Sequence, residues 1–438
     1  MNVSEMAEMP SFLDRQGIAR PIAWGFVAVA LFMVGDGIES GFLAAYLSNL
    51  GVGVGAVSIL FAAYGGVSAL ASWLSGVLSE AWGPKQVMMI GFGVWVALEI
   101  VFLLGIEARN FPLAFVAYAI RGVAYPLFVY GFFAWITFIT PSSSMSRAAG
   151  WFWFSYLFGF GVIGGYFGGW MIPITGELGT QWLSIAFTGA GGLLVLFLVR
   201  ALRPTERATI SSTLRSVVAG ATVLKTSPKV GIGGAIRLIN AFSIYVFIAL
   251  LGTYMTKTIG LTIMQWQTIW GTAFLANVLS NVLVGYIGGA CGELRVVKWL
   301  GCFGCAMTSL AMFYVPQVVG PNFWLILSIG IVWGVCVSGF IPVSAIVPRL
   351  APGQVAAAVS VLSFAAGLSQ MPASLIAALA APFGIATAIW VLAATYVLAF
   401  VLTFALREER TPPQRFAGEM VEFTVDSERL GESTVGPK

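Results

Sequence analysis

Residues 31–46 read LFMVGDGIESGFLAAY. The stretch is apolar enough to cross a membrane, yet it carries two carboxylates, Asp36 and Glu39. Three residues apart on a helix, they share one face. A charged side chain near the bilayer centre costs about 2.5–3.5 kcal/mol even on the most lenient insertion scale. Lipid does not host two of them, so this face must look into a protein interior or a water-filled cavity. Such a face is the expected lining of a path for a solute and protons.

The rest of the chain agrees with a membrane setting. Of its 438 residues 59% are hydrophobic and 9% charged, against about 25% charged in soluble domains. Twelve apolar runs are long enough to span: about 22–47, 55–79, 86–106, 112–139, 148–172, 181–201, 230–256, 265–290, 296–316, 322–347, 354–380 and 384–406. Several exceed the roughly 20 residues a crossing needs, which predicts tilt or kinks. The expected fold is an all-α integral membrane protein of twelve transmembrane helices in two six-helix halves. The expected divisions are a cytoplasmic N-terminus (1–21), a first half (22–201), a cytoplasmic linker (202–229), a second half (230–406) and a cytoplasmic tail (407–438). Residues 11–20 are expected to form a short interfacial helix. The polar first twenty residues and the length of the first apolar run predict no cleavable signal.

The basic residues set the orientation. Arg15, Arg20, Lys85, Arg147, Arg200, Arg203, Arg207, Arg215, Lys225, Lys229, Arg295, Lys298, Arg349, Arg407, Arg410 and Arg415 fall in one set of loops, and only Arg109 and Lys257 in the other. The positive-inside rule then places both termini and the 200–229 connection in the cytoplasm. Within that connection Ile210, Leu214, Val217, Val218, Ala221 and Leu224 recur at helical spacing, predicting an amphipathic helix on the membrane face.

Several function classes drop out. The chain has no His, which removes histidine proton relays and histidine-ligated metals. Cys302 and Cys305 lie in an apolar run without a second ligand pair and read as small packing residues. No G-x-x-x-x-G-K-[ST] loop is present to hold ATP. No nucleophile–base constellation suggests an enzyme, no cofactor or metal is expected, and nothing points to nucleic acid.

An internal repeat accompanies the two sets of spans. Residues 76–85 read GVLSEAWGPK, and 209 residues later 285–294 read GYIGGACGEL, with Gly at the first and eighth positions of both. Repeated halves of six spans are a pattern of secondary transporters. The first copy resembles the loop signature of the major facilitator superfamily, carried here by Gly76, Glu80, Gly83 and Lys85. Glu80 stands where Asp is usual. The resemblance implies a gating clasp in which the acid pairs with a basic group on a neighbouring helix and holds the cytoplasmic side shut. Gly289, in the acid's place in the second copy, implies an asymmetric clasp.

A narrower resemblance is to the polyol permeases, bacterial proton-linked carriers of ribitol and arabinitol. It rests on GDGIE (35–39), RGVAYPLFVY (121–130), GWFWF (150–154), RLIN (237–240) and IPVSAIVPRLAP (341–352), and covers most of both halves. It implies proton-coupled symport of a sugar alcohol across a bacterial inner (plasma) membrane by alternating access. Small-molecule substrate, protons and lipid are the expected partners, and a monomer the expected state.

Asp36, about 21 Å along the first span, and Arg121, about 14 Å along the fourth from its far end, lie at similar depth. Together with Glu39 they are the expected proton-coupling residues. An acid drawn toward ionisation by a guanidinium and toward protonation by burial can gain and lose a proton as access alternates. A static ion pair between two helices is the competing reading. Glu39 is a second proton site, a hydroxyl acceptor or a structural group. Tyr125, Tyr130, Arg237, Asn240, Tyr245, Asn277, Asn281 and Gln370 have the depth and hydrogen-bonding capacity to bind substrate, although polar groups also glue helices. Glu99 is an isolated acid with no partner visible in sequence. Trp151 and Trp153 read as interfacial anchors, and Gly161, Gly165 and Gly169 as a stripe for close helix approach. An organic-acid/proton symporter, with Arg121 and Arg237 on a carboxylate, is the alternative to a polyol carrier.

Overall fold

The computed structural model describes residues 12–16, 18–141, 144–200, 223–351 and 354–406. Among these residues every regular element is helical and none is a strand. Ten helices are long and apolar enough to cross a membrane. They include α1 (Arg20–Gly41), α2 (Val54–Trp82), α3 (Pro84–Glu107), α4 (Phe111–Ile139) and α7 (Pro228–Leu251). Towards the C-terminus come α9 (Glu293–Val319), α10 (Phe323–Arg349), α11 (Val361–Phe383) and α12 (Ile385–Leu406). The remaining one, Arg147–Phe197, runs for 51 residues, about 76 Å of helix and more than twice a ~30 Å hydrocarbon core. Gly176, at φ 71° and ψ 172°, breaks it into α5 before and α6 after. Ile263–Cys291, 29 residues long, is α8 and brings the crossings to twelve.

A short helix, Phe12–Gln16, precedes α1, within the segment expected to be interfacial. The amphipathic helix expected between Ile210 and Leu224 lies outside the described residues except for a final turn, in which Val223 is buried and Leu224 exposed. The segments 1–11 and 407–438 also lie outside them.

The internal repeat is written into the backbone. Eight described residues have positive φ: Gly51, Gly83, Arg109 and Gly176, then Gly260, Gly292, Gly320 and Gly384. Taken in order, the second four follow the first four by 209, 209, 211 and 208 residues. Each lies where one span ends and the next begins. Asn110 and Asn322 extend the correspondence: each caps the helix that follows by accepting from a backbone N–H three residues on, Leu113 at 3.3 Å and Leu325 at 3.2 Å.

Four spans are interrupted at mid-length. α1 leaves its α-helix at Gly37, tightens into a 3-10 turn over Ile38–Gly41, and a further helix follows at Leu43–Asn49. α4 divides into Phe111–Arg121 and Ala124–Ile139, α7 at Ala241 after Pro228–Asn240, and α10 between Phe323–Ser338 and Val343–Arg349. These are spans one, four, seven and ten. α11 has a one-residue break at Ser369. Irregular backbone at membrane depth survives only where protein or a water-filled cavity covers it, so the breaks face inward.

Two helix pairs join the first six spans to the last six. The stripe Gly161, Gly165 and Gly169 on α5 packs on α8: a methyl group on these glycines would fall 2.0 Å from Phe274, 3.1 Å from Gly271 and 2.8 Å from Gln267. Gly65 on α2 approaches α11 just as closely, 2.7 Å from the Met371 nitrogen. Near the Ile38–Gly41 turn the indole N–H groups of Trp266 and Trp270 donate to Gly41 O (2.8 Å) and Ser40 Oγ (3.1 Å). Lys257 donates to Ser48 Oγ at 2.9 Å.

Candidate functional site

The break in α1 delivers Asp36, Glu39 and Ser40 to the middle of the bundle, all buried. Glycine makes this possible. A side chain at Gly35 would run into Thr188, and one at Gly37 into the Phe160 carbonyl at 2.1 Å. Arg121 enters from α4 as the last residue before its break and is fully buried.

Arg121 does not pair with Asp36. Its two terminal nitrogens are taken by Glu39 and by Glu99 of α3. Its charge also lies 4.5 Å from the Tyr118 ring and 5.2 Å from the Trp95 ring, a cation–π cage. Glu39 is held further by Tyr118 OH at 2.9 Å and Gln181 Nε2 at 3.3 Å. Asp36 accepts instead from neutral donors, Trp95 Nε1 at 2.8 Å and Tyr64 OH at 3.4 Å. The expected Asp36–Arg121 pair is therefore corrected. Glu99 fills one side of the guanidinium, and Glu39, one methylene longer than Asp36 and turned by the 3-10 geometry, fills the other. Glu99 thereby gains the partner that its sequence context did not reveal.

Asp36 and Glu39 open onto a cavity of about 40 Å³, room for about three waters and far below the ~300 Å³ of typical small-molecule pockets. Of the eight residues expected to bind substrate, Tyr125, Tyr245 and Gln370 line this cavity. Tyr64, Tyr118, Tyr156 and Ser40 line it too, and sequence reading had not singled them out. Tyr118 stands three residues before Arg121, one helical turn away, and that spacing was the available signal. Tyr64 and Tyr156 carry none.

The other five lie off the cavity wall. Asn277 donates to Gly334 O at 3.1 Å and ties α8 to α10, which is helix glue rather than a ligand contact. Asn281 is half-buried one turn further along. Asn240 is buried with its side-chain oxygen unpartnered. Tyr130 is half-buried, its ring 6.2 Å from that of Tyr125 and 6.4 Å from that of Trp153. Arg237 lies over the Trp153 ring at 5.9 Å. Trp153 thus turns inward, unlike the anchor expected of it. Trp151 faces the N-terminal helix, donating to Gln16 at 3.3 Å and packing on Phe12 at 6.0 Å.

The motif residues Gly76, Glu80, Gly83 and Lys85 sit at the α2–α3 junction. Gly83 adopts φ 93°, ψ 140°, open to glycine alone, and its counterpart Gly292 has φ 96°, ψ 120°. Lys85 Nζ donates to the carbonyls of Leu196 and Val199 at 2.9 and 2.7 Å, capping the C-terminal end of α6 within the first six spans. In the second copy Glu293 receives both terminal nitrogens of Arg349, at 2.9 and 3.1 Å.

Comparison with known proteins agrees with this architecture. The Major Facilitator Superfamily model matches residues 25–232 and again 233–430. The chain is 36% identical over 419 residues to the D-arabinitol transporter of Klebsiella pneumoniae, covering 93% of this chain and 98% of that protein. It is 33% identical over 421 residues to the alpha-ketoglutarate permease of Bacillus subtilis (strain 168), covering 94% and 97%. Among solved structures it superposes on a single-residue mutant of the nucleoside transporter NupG with a TM-score of 0.69 at 13% identity, over 89% of this chain and 100% of that one. The polyol-permease resemblance read from the motifs holds across the chain, which is a multi-pass membrane transporter and belongs to the Major Facilitator Superfamily.

Proposed function

We propose that the protein is a proton-coupled symporter of a small polyhydroxylated solute, with the pentitols ribitol and arabinitol as reference substrates. Asp36 is the proton carrier. The observation that carries this reading is the division of labour among three buried acids: Glu39 and Glu99 neutralise Arg121 from both sides, while Asp36 is held by neutral donors and opens onto the cavity. Three carboxyls facing one guanidinium leave two acids in excess, and buried charge without a partner is expensive. Protons make up the difference, and Asp36, the acid that faces the cavity without pairing to Arg121, is the one that exchanges them. Tyrosines 64, 118, 125, 156 and 245 with Gln370 supply donors and acceptors for hydroxyls, and Asp36 and Glu39 accept from them strongly. The name of the D-arabinitol transporter, 36% identical, supports the choice of reference substrates.

The remaining assignments follow the same reading. Both termini and the 200–229 connection face the cytoplasm of a bacterial plasma membrane, following the basic loops. Spans one to six and seven to twelve move as two halves of a monomer around the midplane cavity.

Replacing Asp36 separates coupling from folding. Asp36→Asn keeps an acceptor for Trp95 but carries no exchangeable proton. The expected outcome is loss of uphill uptake of labelled ribitol, with exchange of internal for external ribitol retained. Uphill uptake at wild-type rate in Asp36→Asn would refute the assignment.

A further inference from the structure

We propose that the transported solute carries a carboxylate besides its hydroxyls, making it a sugar acid of the aldonate class, and that Arg237 receives that carboxylate. This rests on the reading of the site as a polyol-type, proton-coupled one and narrows its substrate class.

Two arginines lie inside the described bundle, and the fold treats them in opposite ways. Arg121 is fully buried and flanked by Glu39 and Glu99. Arg237 is half-buried, and among the described residues no carboxylate lies within ion-pairing distance of it. Its surroundings are neutral. Its guanidinium stands 5.9 Å over the Trp153 ring, which packs 6.4 Å from the ring of Tyr130. Aromatic faces and phenols solvate a cation only in part. A cation held within a membrane bundle without a counter-ion is rare and marks a substrate path by default. A planar fork of five donors is also the geometry that takes a carboxylate at two points.

Arg237 lies off the cavity wall and is linked to it through packed rings. A row of rings on spans two, four and five joins the two arginines. Tyr118 and Tyr64 are 5.0 Å apart, Tyr64 and Tyr125 6.3 Å, Tyr125 and Tyr130 6.2 Å, and Tyr130 and Trp153 6.4 Å. Arg121 caps one end at Tyr118 and Arg237 the other at Trp153. Tyr245, about two helical turns beyond Arg237 on α7, lines the cavity. Asn240, one helical turn beyond Arg237, is buried with its amide oxygen unpartnered and provides an acceptor for the hydroxyl next to a carboxylate.

Charge then orients the ligand. Asp36 and Glu39 repel a carboxylate and accept from hydroxyls, so the hydroxylated tail lies toward the first half. The carboxylate lies toward Arg237, in the second half. One molecule touches both halves by chemically different ends, so only a solute bearing both groups draws them together fully.

The test measures uptake of labelled gluconate, ribonate and ribitol by expressing cells, with unlabelled compounds as competitors. Wild-type protein is expected to take up an aldonate with a specificity at least about tenfold above that for ribitol. Arg237→Gln is expected to lower aldonate uptake at least about tenfold more than ribitol uptake, and Arg237→Lys to restore part of that difference. If Arg237→Gln does not reach the membrane, the wild-type competition decides alone. Ribitol preferred over every aldonate would overturn the inference and leave the polyol reading standing. Uptake of neither ribitol nor any aldonate would overturn both.

Discussion

Arg121 is the residue on which the first half is centred. It ties α4 to α1 through Glu39 and to α3 through Glu99. Removing the cation strands two carboxylates in a buried cluster. Breaking a buried ion pair by deleting one partner costs about 3–5 kcal/mol, so Arg121→Ala is expected to lower sharply both the yield and the melting temperature of detergent-solubilised protein. Glu99→Gln removes surplus negative charge and leaves a one-to-one Arg121–Glu39 pair, so its loss is expected to be the smaller. Thermal unfolding of both variants checks the order, and an equal or greater loss in Glu99→Gln would contradict the cluster as described. At this scale the sequence told half the story. The carboxylates of residues 31–46 and the depth of Arg121 placed the right groups at the right level. Which acid meets the guanidinium depended on the tightening of α1 into a 3-10 turn after Gly37 and on Glu99, 22 residues away on another helix, and neither has a local signature.

The span boundaries are where the two copies of the repeat are most alike. Gly51, Gly83 and Gly176 share a positive φ with Gly260, Gly292 and Gly384, although the side chains between them have diverged. Gly83 has open space around the position of a side chain, so replacing it tests backbone strain with no steric clash. Gly83→Ala is expected to cost about 1–3 kcal/mol, while Gly76→Ala, in helix and equally open, is expected to be neutral or slightly stabilising. Equal melting temperatures for the two variants would contradict this. Of these glycine pairs only Gly83 and Gly292 were read in the sequence, as the eighth position of the repeat, where a positive φ leaves little choice of residue. The cap that Lys85 places on the end of α6 was not readable, since it is a contact more than a hundred residues away that no local pattern encodes.

Across the whole molecule, twelve apolar runs were enough to set the number of crossings, because the bilayer fixes the length of a span. At Gly176, between the fifth and sixth crossings, a single residue with non-helical φ and ψ separates two helices that otherwise adjoin. How the halves meet was only partly legible. The α5 stripe predicted close approach but not that its partner would be α8, and the indole donors of Trp266 and Trp270 onto the broken turn of α1 had no signal in sequence. These contacts put the interface between the halves next to the acids, since Ser40 and Gly41, which accept those indole bonds, directly follow Glu39. Movement of one half on the other therefore disturbs the site, and a change of charge at the site disturbs the interface. Under the proposed symport this arrangement is what coupling would require: the halves would rearrange when proton and solute are both bound or neither is. The most direct test is the external pH of a weakly buffered, de-energised suspension of expressing cells when solute is added. The account predicts immediate alkalinisation on adding a transported polyhydroxylated solute, absent in Asp36→Asn. Solute entry with no movement of protons would contradict it.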